Sequence, residues 1–326
     1  MMTLKVGFIG VGGIARAHLA RLEKIPEVTI AALCDINPAK VVELAEKYKA
    51  NTYTDYHEML KREDLDAVWI CLPPYAHRDE VIVAAERGVH IFIEKPIALN
   101  LRLAKDMEKA VQKAGIKSWV GYHLRQYSSV RRVANMLANE GGPIGLLTGY
   151  WWGSVPRVPW WIKKELSGGQ VVEQTTHIFD LARFLVGEVE RVYAEFNTII
   201  YKDVPDFTIE DVSVVTLRFR NGCVGVITST SGAKPEGHYV GVRLISKNLQ
   251  AEIRGAYAKV LKGEEVIEIK SKEDPYFIED SKFVRCILED LKPEVPISEG
   301  VKTLEVTLAA VRSAESGKVI ELPLEY

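Results

Sequence analysis

Two clusters of side chains in this 326-residue chain have the types and spacing for chemistry. The first is Glu94-Lys95-Pro96, which follows an apolar run ending at Ile93. A lysine just past a parallel strand lies on the carboxyl side of the sheet, where ligands of open α/β sheets bind. There it would hydrogen-bond a substrate oxygen, favour an alkoxide and lower the pKa of a neighbouring group. Pro96 fixes the backbone and could hold a cis bond. An ordinary surface lysine after a strand has the same sequence. The second cluster is SGGQVVEQTTHIFDLARFLVGE, in which Ser167-Gly168-Gly169 launches a helix over about 173–186. Glu173, His177 and Asp180 fall at i, i+4 and i+7, a spacing that puts them on one stripe. A histidine flanked by carboxylates suits a general base whose tautomer a neighbour holds. A solvated face with local ion pairs fits the same residues. So does a metal site, because Glu and His at i, i+4 can share one ion. No further histidine lies nearby to complete a ligand set, so no metal is expected.

Near the N-terminus, GFIGVGGIARAHL has the form of a strand, a glycine turn and a helix. Gly10 allows the tight turn, and Gly12 leaves no Cβ where backbone must approach a pyrophosphate. Gly13 and Ile14 open the helix, whose first N–H groups and positive dipole end would face the phosphates. Ala15 fills the third small position. Asp35 ends a second apolar strand about 20 residues further on, where a carboxylate would hydrogen-bond the adenosine ribose hydroxyls and repel a 2′-phosphate. No Arg or Lys follows in Ile36-Asn37-Pro38, so NAD is expected over NADP. A cap for the next helix is the plainer role for Asp35.

These groups need a scaffold, and the chain supplies two patterns. Strands are expected at 4–9, 28–34, 67–72, 89–93 and 117–121, with helices at about 13–24, 38–48, 55–62, 76–87 and 101–114. The runs VTIAALC, AVWICL and VHIFI are almost continuously apolar, as in a parallel sheet covered on both faces. After Gly121 the pattern turns β-rich, at about 145–153, 189–201, 210–220, 222–231, 237–246 and 249–254. Asn221-Gly222 is a two-residue hairpin turn. Helices close the chain at about 276–291 and 300–316. The expectation is an α/β Rossmann domain over 1–121 with a doubly wound parallel sheet. A second α+β domain over 122–326 would carry a large, mostly antiparallel open sheet for substrate binding and oligomerisation. A sheet of that size needs helices on one face, and a partner subunit could cover the other. A homo-oligomer, dimer or tetramer, is therefore expected.

Composition narrows the function classes. A net charge of −2 with 26% charged residues gives no basic surface for nucleic acid and no acidic tail. No apolar stretch reaches the length of a membrane span. The first strand begins at residue 4, so no leader peptide is expected. The four cysteines, at 34, 71, 223 and 286, show no CxxC spacing and suit the free thiols of a reducing cytoplasm.

The motifs together resemble the oxidoreductases grouped around glucose–fructose oxidoreductase, inositol dehydrogenase and the rhizopine-catabolism protein MocA. The resemblance covers essentially the whole chain. It rests on GVGGIA, PPYAH around His77, EKP at 94–96, GYHLRQY from Gly121, Trp160-Trp161, SGGQVVEQTTHIFD and the C-terminal FVRCILEDLKPEVPISEGVKTLEVTLAAVRSAESGKVIEL. It implies an NAD-dependent dehydrogenase or reductase acting on a CH–OH group of a polyol, sugar or sugar derivative. Lys95 and His177 correspond to the family's catalytic pair, with Glu173 beside them. The resemblance further assigns Leu72, Pro73, His77, Glu94 and Lys95 to the cofactor. It gives His123, Arg125, Trp161, Glu173, His177 and Asp180 to the substrate. Three positions depart from the usual pattern: Glu173 stands for an Asp, Trp161 for an Arg and His123 for an Asn. Trp161 would supply a flat face for stacking on a sugar. Two other activities run on the same scaffold, an NAD-dependent glycoside hydrolase using transient oxidation and a non-catalytic dinucleotide-binding sugar sensor.

Overall fold

The computed structural model describes residues 3–156 and 158–325; residues 1, 2, 157 and 326 lie outside it. Contacts divide the chain into two units. One runs to Tyr122 and includes Asp274–Val301; the other comprises His123–Glu273 and the chain from Lys302.

In the first unit, β1 (Leu4–Ile9), β2 (Val28–Cys34), β3 (Asn51–Tyr53), β4 (Ala67–Ile70), β5 (His90–Ile93) and β6 (Ser118–Val120) form one parallel sheet. Its order is β3-β2-β1-β4-β5-β6. The order reverses direction between β1 and β4, and ligands of open α/β sheets bind at the carboxyl ends of strands at such a point. Helices α1 (Gly13–Leu22), α2 (Pro38–Tyr48), α3 (Tyr56–Arg62), α4 (Glu80–Glu86) and α5 (Leu101–Ala114) connect the strands. Every residue of β4 is buried, which is why AVWI carries no polar alternation. The helix expected at 76–87 begins only at Glu80, after a short 3-10 turn at Pro74–Ala76. His77 is extended, with φ −64° and ψ 133°, which separates that turn from α4. The strand β3 was absent from the sequence pattern because three half-exposed residues show no periodicity.

Helix α10 (Pro275–Leu288) follows the second domain in chain order but packs in the first unit. Its Phe283 meets Trp69 of β4 edge-on at 5.4 Å, and Trp69 stacks on Phe92 of β5 at 5.4 Å. All three rings are fully buried, each worth about 1.5–3 kcal/mol of hydrophobic stabilisation. Asp274 caps α10 by accepting from Tyr276 N–H and pairs with Arg21 of α1 at 2.7 Å.

The second unit is a nine-stranded sheet of order β14-β13-β12-β11-β7-β10-β9-β8-β15. The strands are β7 (Ile144–Trp152), β8 (Val189–Asn197), β9 (Val212–Phe219), β10 (Val224–Thr230), β11 (Tyr239–Ser246), β12 (Gln250–Arg254), β13 (Tyr257–Lys262), β14 (Glu265–Lys270) and β15 (Ile320–Glu321). Only β7 and β10 pair in parallel; the remaining neighbours are antiparallel. Helices α6 (Ser128–Met136), α7 (Lys164–Ser167), α8 (Gln170–Glu173), α9 (Thr176–Val186) and α11 (Ile297–Ser316) complete the chain. Helix α9 lies against β7, where a Cβ on Gly149 would stand 2.6 Å from Ile178. The opposite face exposes alternate apolar residues, among them Leu146, Trp152, Val214, Val224 and Ile245. All four cysteines are free and buried. Among the described residues no helix is long and apolar enough to cross a membrane.

Candidate functional site

The glycine turn at the end of β1 is sterically specified. Gly10 has φ +83°, and a Cβ there would lie 2.6 Å from the Cys71 carbonyl oxygen, so only glycine fits. Around Gly12 and Gly13 an added Cβ meets nothing within 4 Å. Those two residues, with half-buried Ile14, open α1, so its first N–H groups border open space of the kind that takes a phosphate. Asp35 is buried at the end of β2, where its Oδ2 accepts from Val11 N–H (3.1 Å) and its Oδ1 from Asn37 N–H (2.9 Å). The carboxylate is thereby fixed with lone pairs left for further donors. Lys40 Nζ stands 3.7 Å from Oδ1. Leu72 and Pro73 follow β4, and the Leu72 side chain closes over Gly10. His77 is buried and holds Glu80 through Nδ1 at 2.6 Å. Burial raises the Glu80 pKa, but His77 and the Arg78 N–H outweigh it and lower the net value. His77 Nε2 has no hydrogen-bond partner among the described residues. An open phosphate cradle, an anchored carboxylate and an orphaned buried nitrogen fit a dinucleotide.

The EKP turn lies at the carboxyl end of β5 in the same unit. Lys95 is half-buried, and the Lys95–Pro96 peptide is cis. Glu94 is buried; its Oε2 accepts from Lys95 N–H at 3.1 Å and its Oε1 lies 3.0 Å from His18 Nε2. Gly121 makes room for that carboxylate, since a Cβ would sit 2.8 Å from Oε1. The other His18 nitrogen, Nδ1, faces Asp280 of α10 at 2.8 Å. Burial lowers the His18 pKa, but Asp280 and Glu94 overcome it and hold the imidazole well above its ordinary value. Glu279 is close enough that His18, Glu94 and Glu279 each offer a ligand atom within 4.8 Å of the others. Both His18 nitrogens, however, already face carboxylate oxygens.

In the second unit the expected helix over 173–186 is two helices. Gly168 and Gly169 both have positive φ, and α8 ends at Glu173 before α9 begins at Thr176. The break has local causes. A Cβ on Gly169 would lie 2.5 Å from Glu210 Oε2, and Glu210 Oε1 accepts from Val171 N–H at 2.7 Å. Glu210 is buried, and burial pushes its carboxyl up to about 7. Trp161 N–H donates to Glu173 Oε2 at 2.6 Å, and Trp151 N–H donates to Gln174 at 3.0 Å. The helix is interrupted at Gln174-Thr175, and Glu173 and Asp180 end on different partners, Trp161 and Arg125.

His177 is buried near the start of α9. Trp151 stacks on its ring at 5.6 Å and 15°, and His123 meets it edge-on at 4.7 Å. The imidazole plane is therefore fixed between two aromatic side chains. Asp180 takes up Arg125 in a bidentate pair, 2.7 Å to Nε and 2.6 Å to Nη2, and accepts from Thr303 at 3.3 Å. Both partners are buried, so their charges meet each other and brace α9. Trp161 is 1% exposed, with its N–H on Glu173; it holds that carboxylate instead of presenting a ring to a sugar. Sequence reasoning missed Trp151, Glu210, His18 and Asp280. The signal for the last two was present: each is a charged or polar residue on an otherwise apolar helix stripe.

Residues 4–122 match the model of an oxidoreductase family with an NAD-binding Rossmann fold, and residues 131–257 match the GFO/IDH/MocA C-terminal domain. YrbE, an uncharacterized oxidoreductase of Bacillus subtilis (strain 168), is 31% identical over 234 residues, covering 70% of this chain and 67% of its own. Myo-inositol 2-dehydrogenase of Thermotoga maritima is 27% identical over 339 residues, 98% of each chain. Among solved structures, the WlbA dehydrogenase from Bordetella pertussis, in complex with NADH and UDP-GlcNAcA, gives a TM-score of 0.87 at 26% identity. The match covers 99% of this chain and 100% of that one.

Proposed function

This chain belongs to the GFO/IDH/MocA oxidoreductase family, and from that premise we propose that it oxidises or reduces a CH–OH group of a polyol, sugar or sugar derivative with NAD. A relative named for myo-inositol and a neighbour solved with NADH and UDP-GlcNAcA support that substrate class. Gly10, Gly12, Gly13 and Asp35 would hold the dinucleotide, whose nicotinamide, when bound, supplies the hydride acceptor. Lys95 holds the substrate oxygen and stabilises the alkoxide that develops there. His177 takes the hydroxyl proton, and Glu173 binds a neighbouring hydroxyl while Trp161 fixes it. Arg125 and Asp180 keep α9 in place. The observation that carries the reading is the frame around His177. Two aromatic side chains fix the ring of a buried histidine, a preorganised base and not a mobile surface group.

The test is NADH formation by the purified protein across polyols, aldoses and glycosides, with Lys95→Ala alongside. Loss of the Lys95 contact to the substrate oxygen lowers turnover by about 10²–10⁴-fold, while NAD binding stays largely intact. Equal loss of NAD affinity in that variant rejects the role of Lys95. Aglycone release without NADH replaces the dehydrogenase with a hydrolase.

We also propose a homo-oligomer formed through the open face of the nine-stranded sheet. Leu146, Trp152, Val214, Val224 and Ile245 make that face apolar. Val214→Glu should release monomers in sedimentation equilibrium, and an unchanged mass would reject this interface.

A further inference from the structure

Helix α1, the EKP turn and helix α10 converge in the first unit on one fully buried imidazole. We propose that His18 and Asp280 are positioning residues for Lys95, acting through Glu94. The proposal rests on the reading of Lys95 as a substrate-contacting group.

The contacts form a directed chain. Trp69 N–H donates to Asp280 Oδ1 at 2.9 Å, and His18 Nδ1 faces the same carboxylate at 2.8 Å. His18 Nε2 faces Glu94 Oε1 at 3.0 Å, and Lys95 N–H donates to Glu94 Oε2 at 3.1 Å. Ionised carboxylates only accept, so both ring nitrogens must donate, and His18 is an imidazolium. In the neutral form one lone pair would point at a carboxylate. His18 and Asp280 have no solvent exposure and Glu94 has 6%, so water cannot repair a mismatch. The chain ends on the backbone N–H of the residue whose side chain does the chemistry. Every donor along it meets an acceptor, which fixes the direction in which Lys95 leaves the turn.

Burial and the neighbouring Glu94 push the Glu279 carboxyl well above the usual carboxylate range. Burial raises Asp280 as well, while His18 and the Trp69 N–H oppose that rise. His18 stands between Asp280 and Glu94 and donates to both. The imidazolium satisfies both neighbours with no lone pair left for a metal ion.

The shared path predicts a pattern of mutational coupling. His18→Leu takes both donors away and leaves two buried carboxylates facing an apolar group. Asp280→Leu leaves His18 Nδ1 and Trp69 N–H without their shared acceptor. Asp280→Asn is milder, because a neutral His18 keeps its Nε2–H on Glu94 and accepts the new NH₂ group at Nδ1. Each leucine variant should lower kcat by about 10–100-fold, the scale of a misplaced catalytic group, and Asp280→Asn should keep most of it. The double leucine variant should lose little more than either parent, where independence would give the product of the two.

Exchange of the Lys95 amide, resolved by electron-transfer fragmentation, should follow the same cycle independently of catalysis. It rises in each leucine variant and rises little further in the double. Unchanged kcat in both leucine variants, or additive losses in kcat or exchange, overturns the proposal. Should one single variant fail to accumulate, the double variant against its remaining parent carries the test. A wild-type protein that oxidises no polyol rejects the proposed function instead, and the amide-exchange cycle then decides the positioning claim alone.

Discussion

Replacing Glu210 with glutamine should change how the stability of the second unit depends on pH. Glu210 is buried, accepts from Val171 N–H at 2.7 Å and packs over Gly169, so it holds the turn that leads to Glu173. Burial raises its pKa from 4.5 to about 7. The folded chain therefore holds this proton more tightly than the unfolded chain does. The sign follows: the stabilisation is complete below about pH 4.5 and is lost as pH rises through about 7. A shift of this size corresponds to about 3 kcal/mol. The Glu210→Gln side chain keeps an oxygen for Val171 N–H and removes the titration. Urea unfolding of both proteins between pH 4 and 8 should show the wild type losing about 3 kcal/mol relative to the variant. Parallel stability profiles would refute the argument, because they would mean that Glu210 titrates alike in the folded and unfolded chains.

Two further substitutions separate scaffold from site. Gly10→Ala forces a methyl against the Cys71 carbonyl at a positive φ, so it should lower stability by about 1–3 kcal/mol and weaken NADH binding, read by thermal melting and fluorescence titration. Gly12→Ala in the same assays should leave the melting temperature unchanged and weaken binding alone, because its Cβ enters open space. Asp180→Asn leaves the buried Arg125 guanidinium without its bidentate anion and should cost about 3–5 kcal/mol in urea unfolding. A cost below about 1 kcal/mol would place the pair in the weak class of exposed ion pairs.

The parallel sheet was legible because its strands are buried on both faces and therefore continuously apolar. The second sheet was legible where β-branched runs flank a hairpin turn: VSVVTLRF and VGVITST stand either side of Asn-Gly, and their burial alternates in the fold. The last hairpin, β13 with β14, escaped because Lys259, Lys262, Glu265 and Glu268 dilute its apolar positions. Such a pattern resembles a solvated loop until a neighbouring strand supplies the pairing. Helix α10 shows a different limit. Its apolar stripe announces a buried helix, but nothing local says which core receives it. Phe283 against Trp69 is a contact between residues 214 positions apart, and chain order groups α10 with the domain it follows.

The same limit governs the site. Glu173, His177 and Asp180 looked like one catalytic stripe because helical spacing was applied across the interruption between α8 and α9. Arg125 and Asp180 entered as substrate contacts through the family resemblance. Their partners are visible only once the chain is folded, when each is found to answer the other. His18 and Asp280 offered the opposite clue, polar residues where the helical period demands apolar ones. A histidine or an aspartate on a buried stripe needs a partner, because neither is tolerated alone in a core. The stripe declares that need without any motif, but the partner is named only by the fold. His18 of α1 could have answered any of several buried acids, and it answers Asp280 of α10 because Phe283 on the same helix packs on Trp69.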